Sequence, residues 1–442
     1  MRKKHQKNTV LYFVIVIFAL FILFFSGDFG TIDVQKTAII MAVGVDREED
    51  TFIVTSQIAI PQSSKQGKAT ETVQLVSRGK TVAAAFEEIN AKTGWYPKLV
   101  FCHLILLGEK TTERNVFDAL DFFLLDEYMS DNCLLATCDG FAKDILNVTP
   151  LVDPSGSVAI QKILSPHAER VGSVLPSTLR EFAIGYYSDS KSGYLPILKT
   201  QPQQEQINGE TAGAGMRSSD SSSSSGDSSS SGGEKKENAD SSSGSGGEKN
   251  SNSSDSGGSS SSTQQGKQGE KSNDKPVFSA NETALFVNGK RVGKLTKEET
   301  FAFNAVESEL KLAAYTVQTN TGVCTLTVKR NVAKRDFVIG ETGQPTLKIK
   351  LTMTAGLLDY SSALPLQTAD VGDVPNGTFE AAEKLLSAQL TSLFEKCRAC
   401  KCDLFKIIES LQKKEHALTP ARKATALDNT LFDVQVNFRN VR

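Results

Sequence analysis

Histidine is scarce in this chain: four among 442 residues, scattered at His5, His103, His167 and His416. None stands in a ligand-spaced group with cysteines, whereas a zinc centre wants four convergent ligands. The sequence also lacks G-x-S-x-G, H-E-x-x-H and G-x-x-x-x-G-K-[ST], the spacings that build a nucleophile elbow, a zinc-protease helix and a phosphate loop. Neither sign of charge dominates. Lys and Arg number 49 against 51 Asp and Glu, a net charge of -2, and the two signs are interspersed, so no basic field argues for nucleic acid. Cysteine is odd in number, seven, which does not indicate a complete disulfide framework. Apolar residues make up only 39%, because one long segment has almost none.

What is present begins at the N-terminus, "MRKKHQKNTVLYFVIVIFALFILFFSGDFG". Arg2, Lys3, Lys4 and Lys7 precede an unbroken apolar run from Val10 to Phe25. As a helix that run is about 24 Å long, and Thr9, Ser26 and Gly27 extend it toward a full span. A cleaved signal peptide would have a shorter core ending in small residues, and Phe24-Phe25-Ser26-Gly27-Asp28 offers no clean match. The reading is an uncleaved transmembrane anchor over 9–27. The basic residues before it, with Asp28 and Asp33 after it, place 1–8 in the cytoplasm and everything from about residue 30 outside. A lipoprotein would need a cysteine directly after the run, and the first cysteine is Cys102.

Residues 201–276 are dominated by Ser, Gly and charged residues. Such a segment buries too little surface to offset its ordering entropy, so a disordered linker is expected there. Before it, "KTAIIMAVGVDREEDTFIVTSQIAIP" reads as two strands joined by the polar Asp46-Arg47-Glu48-Glu49-Asp50, a hairpin or meander. "KTVAAAFEEINAKTG" sets Val82, Ala85, Phe86 and Ile89 on one helical face, with Gly94 as a stop. "LVFCHLILLG" suits a buried strand, "ERNVFDALDFFLLDE" a helix and "DNCLLATCD" another strand. This gives a first α+β domain over 32–150. A smaller α+β region over 151–200 contains a capping box at Thr178 and Glu181. After the linker, 277–442 reads as a further α+β domain. It has a hairpin turned at Asn288-Gly289, a capping box at Thr296 and Glu299, strands in "CTLTVKR" and "TLKIKLTMTAGL", helices over about 378–400 and 403–414, and a closing strand, "LFDVQVNF".

Four features bear on chemistry. "EKCRACKCDLF" holds Cys397, Cys400 and Cys402. On a helix, Leu386, Leu390, Leu393, Cys397, Cys400 and Leu404 form one apolar stripe, and free cysteine packs as a small hydrophobe. Packing is therefore the reading, with a disulfide or a metal site as the rivals. Cys133 and Cys138 point to opposite faces of their strand. Asp118, Asp121, Asp126 and Glu127 are carboxylates with nothing to pair them, Asp118 and Asp121 on the wet face of their helix. His103 reads as a hydrogen-bonded core residue. No catalytic residue, cofactor site or metal ligand is assigned.

The stretches "AIIMAVGVDREEDTFIVTSQIAIP", "SRGKTVAAAFEEIN", "LVFCHLILLGEK", "ALDFFLLDE…AKDIL", "ETALFVNGKRVGKLTKEET" and "KCDLFKIIESLQKK…FDVQVNF" occur in this order. In that order the chain resembles spore germination proteins of the Ger(x)C family, the C subunits of nutrient germinant receptors. The resemblance implies three α+β domains, two before the linker and one after it. It implies a non-enzymatic scaffold or coupling subunit of a receptor in the inner spore membrane, partnered by a multi-pass A subunit and a transporter-like B subunit. Two departures stand out: a transmembrane helix in place of the lipid anchor usual in that family, and a long serine-rich insertion in place of a short connector. Two other readings remain open, an extracytoplasmic envelope or signalling protein not tied to germination, and a thiol or metal protein using Cys397, Cys400 and Cys402.

Overall fold

The computed structural model describes residues 12–21, 37–60, 71–148, 150, 153, 155–201, 276–320, 322–361, 374–415 and 418–441. Of the anchor expected over 9–27, residues 12–21 are described, as a helix (α1) with exposed side chains. The rest of that span and the expected linker lie outside the described residues. Among the described residues no helix is long and apolar enough to cross a membrane.

A nine-stranded mixed sheet organises most of the molecule. β1 (Thr37–Glu48) and β2 (Thr51–Ile60) form the expected hairpin, and β3 (Glu71–Gly79) adds to β2 as an edge. On the other side of β1 lie β4 (Tyr96–Lys98) and β5 (Leu104–Leu107), both parallel to it. β6 (Leu134–Cys138) and β7 (Ser192–Gln201) continue the parallel run. β8 (Val277–Val287) then pairs antiparallel with β7, and β9 (Lys290–Leu295) with β8. The boundary expected at 277 thus falls between two neighbouring strands of one sheet. β7, from the stretch read as a separate small region, lies between β6 and β8 in that same sheet.

β5 shows why such strands read as solid apolar runs: alternate side chains enter two cores. Ile105 and Leu107 pack with α2 (Val82–Thr93), α4 (Phe117–Leu125) and α8 (Leu179–Tyr187). Leu104 and Leu106 pack on the opposite face with α5 (Ala142–Leu146) and α6 (Gly156–Ile163). Burial on both faces leaves no polar alternation to see. Between strands and helices run α3 (Glu109–Thr112) and α7 (Pro166–Arg170). The strand read in "LVFCHLILLG" is only its last part. Cys102 N–H bonds Leu99 O at 2.8 Å and closes a turn that turns Val100 and Phe101 outward.

A second sheet, in the order β10 (Ala313–Thr319), β11 (Gly322–Ile339), β12 (Pro345–Ser361), β13 (Leu431–Asn440), is covered by α9 (Lys297–Glu307) and α10 (Thr378–Cys400). α11 (Ile407–Lys414), α12 (Pro420–Ala424) and α13 (Ala426–Asn429) lead from α10 to β13. The β8–β9 turn uses Asn288 and Gly289 at φ of 50° and 72°, the left-handed region that such a turn needs. Its Gly289 carbonyl accepts from Val116 N–H at 2.9 Å, which seats the turn on the start of α4.

Candidate functional site

The cysteine motif is split by the end of α10. Leu386, Leu390, Leu393 and Cys397 are all buried, continuing the stripe read from the sequence. Lys401 then turns left-handed at φ 58°, and Cys402 N–H bonds back to Cys397 O at 2.9 Å. The helical stripe therefore ends at Cys397, short of the expected Cys400 and Leu404. Cys400 is only half-buried, whereas Cys402, which lay off the stripe, is fully buried. The Cys402 thiol donates to Phe286 O at 3.5 Å and the Cys400 thiol to Val292 O at 3.7 Å, so these two face different stretches of the β8–β9 hairpin. Burial pushes Cys402 up to about 12 and Cys397 further still, which disfavours a free, nucleophilic thiolate at either. Cys133 and Cys138 belong to cores on opposite faces of the first sheet.

The carboxylates noted on α4 do not converge. Asp118 pairs with Arg47 at 3.1 Å, Asp121 accepts from the Tyr187 hydroxyl at 3.5 Å, and Asp126 accepts from Tyr128 N–H at 2.9 Å. Glu127 lies exposed beside Tyr128. The pKa of His103 is lowered, chiefly by burial, and its Nε2 has no hydrogen-bond partner among the described residues.

Besides Glu299 of the capping box, two other carboxylates among the described residues are buried, Asp46 and Asp403, and sequence reading assigned neither a site role. Asp46, on β1, accepts from Ala142 N–H at 2.7 Å and Lys143 N–H at 3.0 Å, the free donors at the start of α5. Asp403 accepts from Ile407 N–H at 2.8 Å and Ile408 N–H at 2.9 Å, capping α11, while its own N–H donates to Ser192 Oγ at 2.9 Å. Burial raises the pKa of both, with those backbone donors pulling the other way. The one signal for Asp46 was the glycine ending the "LILLG" run. A Cβ at Gly108 would sit 1.9 Å from Asp46 Oδ1, so only glycine leaves room for the carboxylate.

Asp403 also lines a cavity of about 660 Å³ between α8, the start of β7 and α11. Its other walls include Glu181, Asp189, Lys406 and Gln412. The acids are already engaged: Glu181 accepts from Thr178 N–H at 3.1 Å in the capping box of α8, and Asp189 accepts from Lys423 Nζ at 2.9 Å and from Gln412. No described group of three or more His, Cys, Asp or Glu is placed to hold a metal ion.

The remaining prominent surface lies at the end of the sheet where the parallel strands begin. Trp95, Tyr96, Val100, Phe101, Leu125 and Tyr128 are all exposed there, Phe101 by 59% and Leu125 by 85%. Lys98 Nζ lies 4.5 Å over the Tyr128 ring, joining the β4 stretch to the loop ahead of β6.

Comparison with known proteins places both halves of the chain together. Residues 30–200 match the family described as spore germination protein N-terminal domain, and 281–439 match spore germination B3/GerAC like, C-terminal. Spore germination protein B3 of Bacillus subtilis (strain 168) is 29% identical over 149 residues, which cover 32% of this chain and 37% of that protein. The matched part thus spans little more than a third of that relative. A crystal structure of the GerBC protein superposes over 90% of this chain and 97% of its own, with 14% identity and a TM-score of 0.48. With its N-terminal and C-terminal parts each matched in order, the chain belongs to the GerAC family of spore germination proteins.

Proposed function

We propose that this protein is the C subunit of a nutrient germinant receptor, a non-enzymatic scaffold that binds A- and B-type subunits through extracytoplasmic surfaces. The observation that carries this reading is the ordered pair of family matches, one on each side of residues 201–276. The use of the buried acids supports a structural rather than catalytic part. Asp46 and Asp403 each accept two main-chain N–H bonds and cap helices, which ties both carboxylates to the backbone of the fold.

The same reading has residues 9–27 hold the protein in the inner spore membrane, N-terminus in the cytoplasm. Its support is the charge-flanked apolar run and the helical, outward-facing side chains of its described part, 12–21. Residues 201–276 would then be a linker. Purification from detergent-solubilised membranes tests the whole proposal. Co-purification with A- and B-type subunits is expected. Isolation as a free monomer, with nutrient germination unchanged on deletion, would refute it.

A further inference from the structure

We propose that the sheet end bearing Trp95, Tyr96, Val100, Phe101, Leu125 and Tyr128 rests in the headgroup region of the bilayer, beside the point where the chain leaves it. This rests on the anchor reading above and adds an orientation to it. β4 lies parallel to β1 with Tyr96 opposite Thr37, so the aromatic pair Trp95-Tyr96 stands next to the first described residue of the body. Because β1, β5 and β6 run parallel, the turn before β5 and the loop before β6 emerge at the same end. These carry Val100 and Phe101, and Tyr128, respectively. Only eleven residues, 26–36, separate the apolar run from Thr37. Whatever their conformation, they reach no further than about 40 Å. The tether therefore holds this end of the sheet, where the chain enters the body, within about 40 Å of the membrane surface.

The composition fits that surface. Trp and Tyr favour the membrane–water interface, where an apolar ring and a polar tip are both satisfied. Lys98, laid along the Tyr128 ring, can send its ammonium to the phosphates. The nearby acids do not call for an anionic leaflet. Asp131 pairs with Arg180 at 3.5 Å, and Asp126 with the backbone of Tyr128, while Glu127 stays exposed. Contact through apolar side chains should thus occur on zwitterionic lipid and persist at high salt.

Trp95 is the only tryptophan in the chain, so its fluorescence reports on this end alone. The full chain would be reconstituted into phosphatidylcholine vesicles, with flotation recorded alongside emission. The expected result is a blue-shifted Trp95 emission, quenched more by lipids brominated near the headgroup than by those brominated at the chain end. Val100→Ser with Phe101→Ser should lose that quenching while still floating. Flotation with unquenched, water-like emission overturns the docking proposal and leaves the anchor standing. Failure to float removes the anchor and the docking with it. Burial of Trp95 only when A- and B-type subunits are added overturns it in favour of a protein partner.

Discussion

Asp46 and Asp403 each accept two main-chain N–H bonds from the first turn of a helix, Asp46 from the distant α5 and Asp403 from α11, which directly follows it. Burial nonetheless raises both pKa values above the ordinary 3.8. A carboxyl whose pKa is higher folded than unfolded binds more protons when folded. Its contribution to stability therefore grows as pH falls, is complete below about 3.8, and is lost as pH rises through the folded value. Asp403→Asn removes that titration. The melting-temperature difference between wild type and Asp403→Asn should move in favour of wild type as pH is lowered from 7 toward 4; a difference constant with pH would contradict it. For Asp46, the crowding at Gly108 gives a second test. Gly108→Ala forces the new methyl onto Asp46 Oδ1 and should cost about 1–3 kcal/mol, the usual range for overpacking. In an Asp46→Ala background the same change should cost much less, and denaturant midpoints of the four proteins measure this coupling. Additive effects would show that the steric contact is not what Gly108 relieves.

At the scale of elements, what could be read from sequence was local. Val82, Ala85, Phe86 and Ile89 form the buried face of α2, Gly94 ends it left-handed, and both capping boxes form, Thr178 with Glu181 and Thr296 with Glu299. Each of these lies within one or two turns, where side-chain chemistry and chain geometry are fixed together. The misses were set from far away. β11 runs well past "CTLTVKR" because long β12 continues beside it, and "LVFCHLILLG" gives up half its strand to a turn. Asp46 reads from sequence as part of a polar turn but lies within β1, and its partners are 96 and 97 positions on. The exposed sheet end was also missed, since Trp95, Phe101 and Tyr128 meet only through strand pairing. Thr296→Ala tests the local kind of device. It leaves Glu299 N–H without the hydroxyl it bonds at 3.3 Å and should cost about 1 kcal/mol. Thr296→Ser should restore most of that. Equal losses for Ala and Ser in thermal melts would assign the effect to packing instead.

Across the whole molecule, the stretches before 201 and after 276 are bound to one another at every level. β7 and β8 share a ladder from Ser192–Val287 to Gln201–Val277. Asn304 on α9 donates to Glu169 O at 3.0 Å and Val174 O at 2.8 Å, and Asp403 N–H reaches Ser192. Leu285 and Leu295, from the first sheet, and Leu175 join the core of the second. A connection between two antiparallel neighbours needs only two to five residues, so the intervening 75 are not required by the ladder they close. Replacing 202–276 with a four-residue Asn-Gly-containing turn should therefore leave the fold intact. If the segment is the open coil its composition suggests, shortening it about twentyfold also removes loop-closure entropy, worth about 2–3 kcal/mol in favour of the folded state. A higher melting temperature with unchanged co-purification of partner subunits is the expected outcome. A shortened protein that melts higher but no longer retains its partners would assign binding to the deleted stretch. One that melts lower would mean that the stretch packs on the body, contrary to the coil reading.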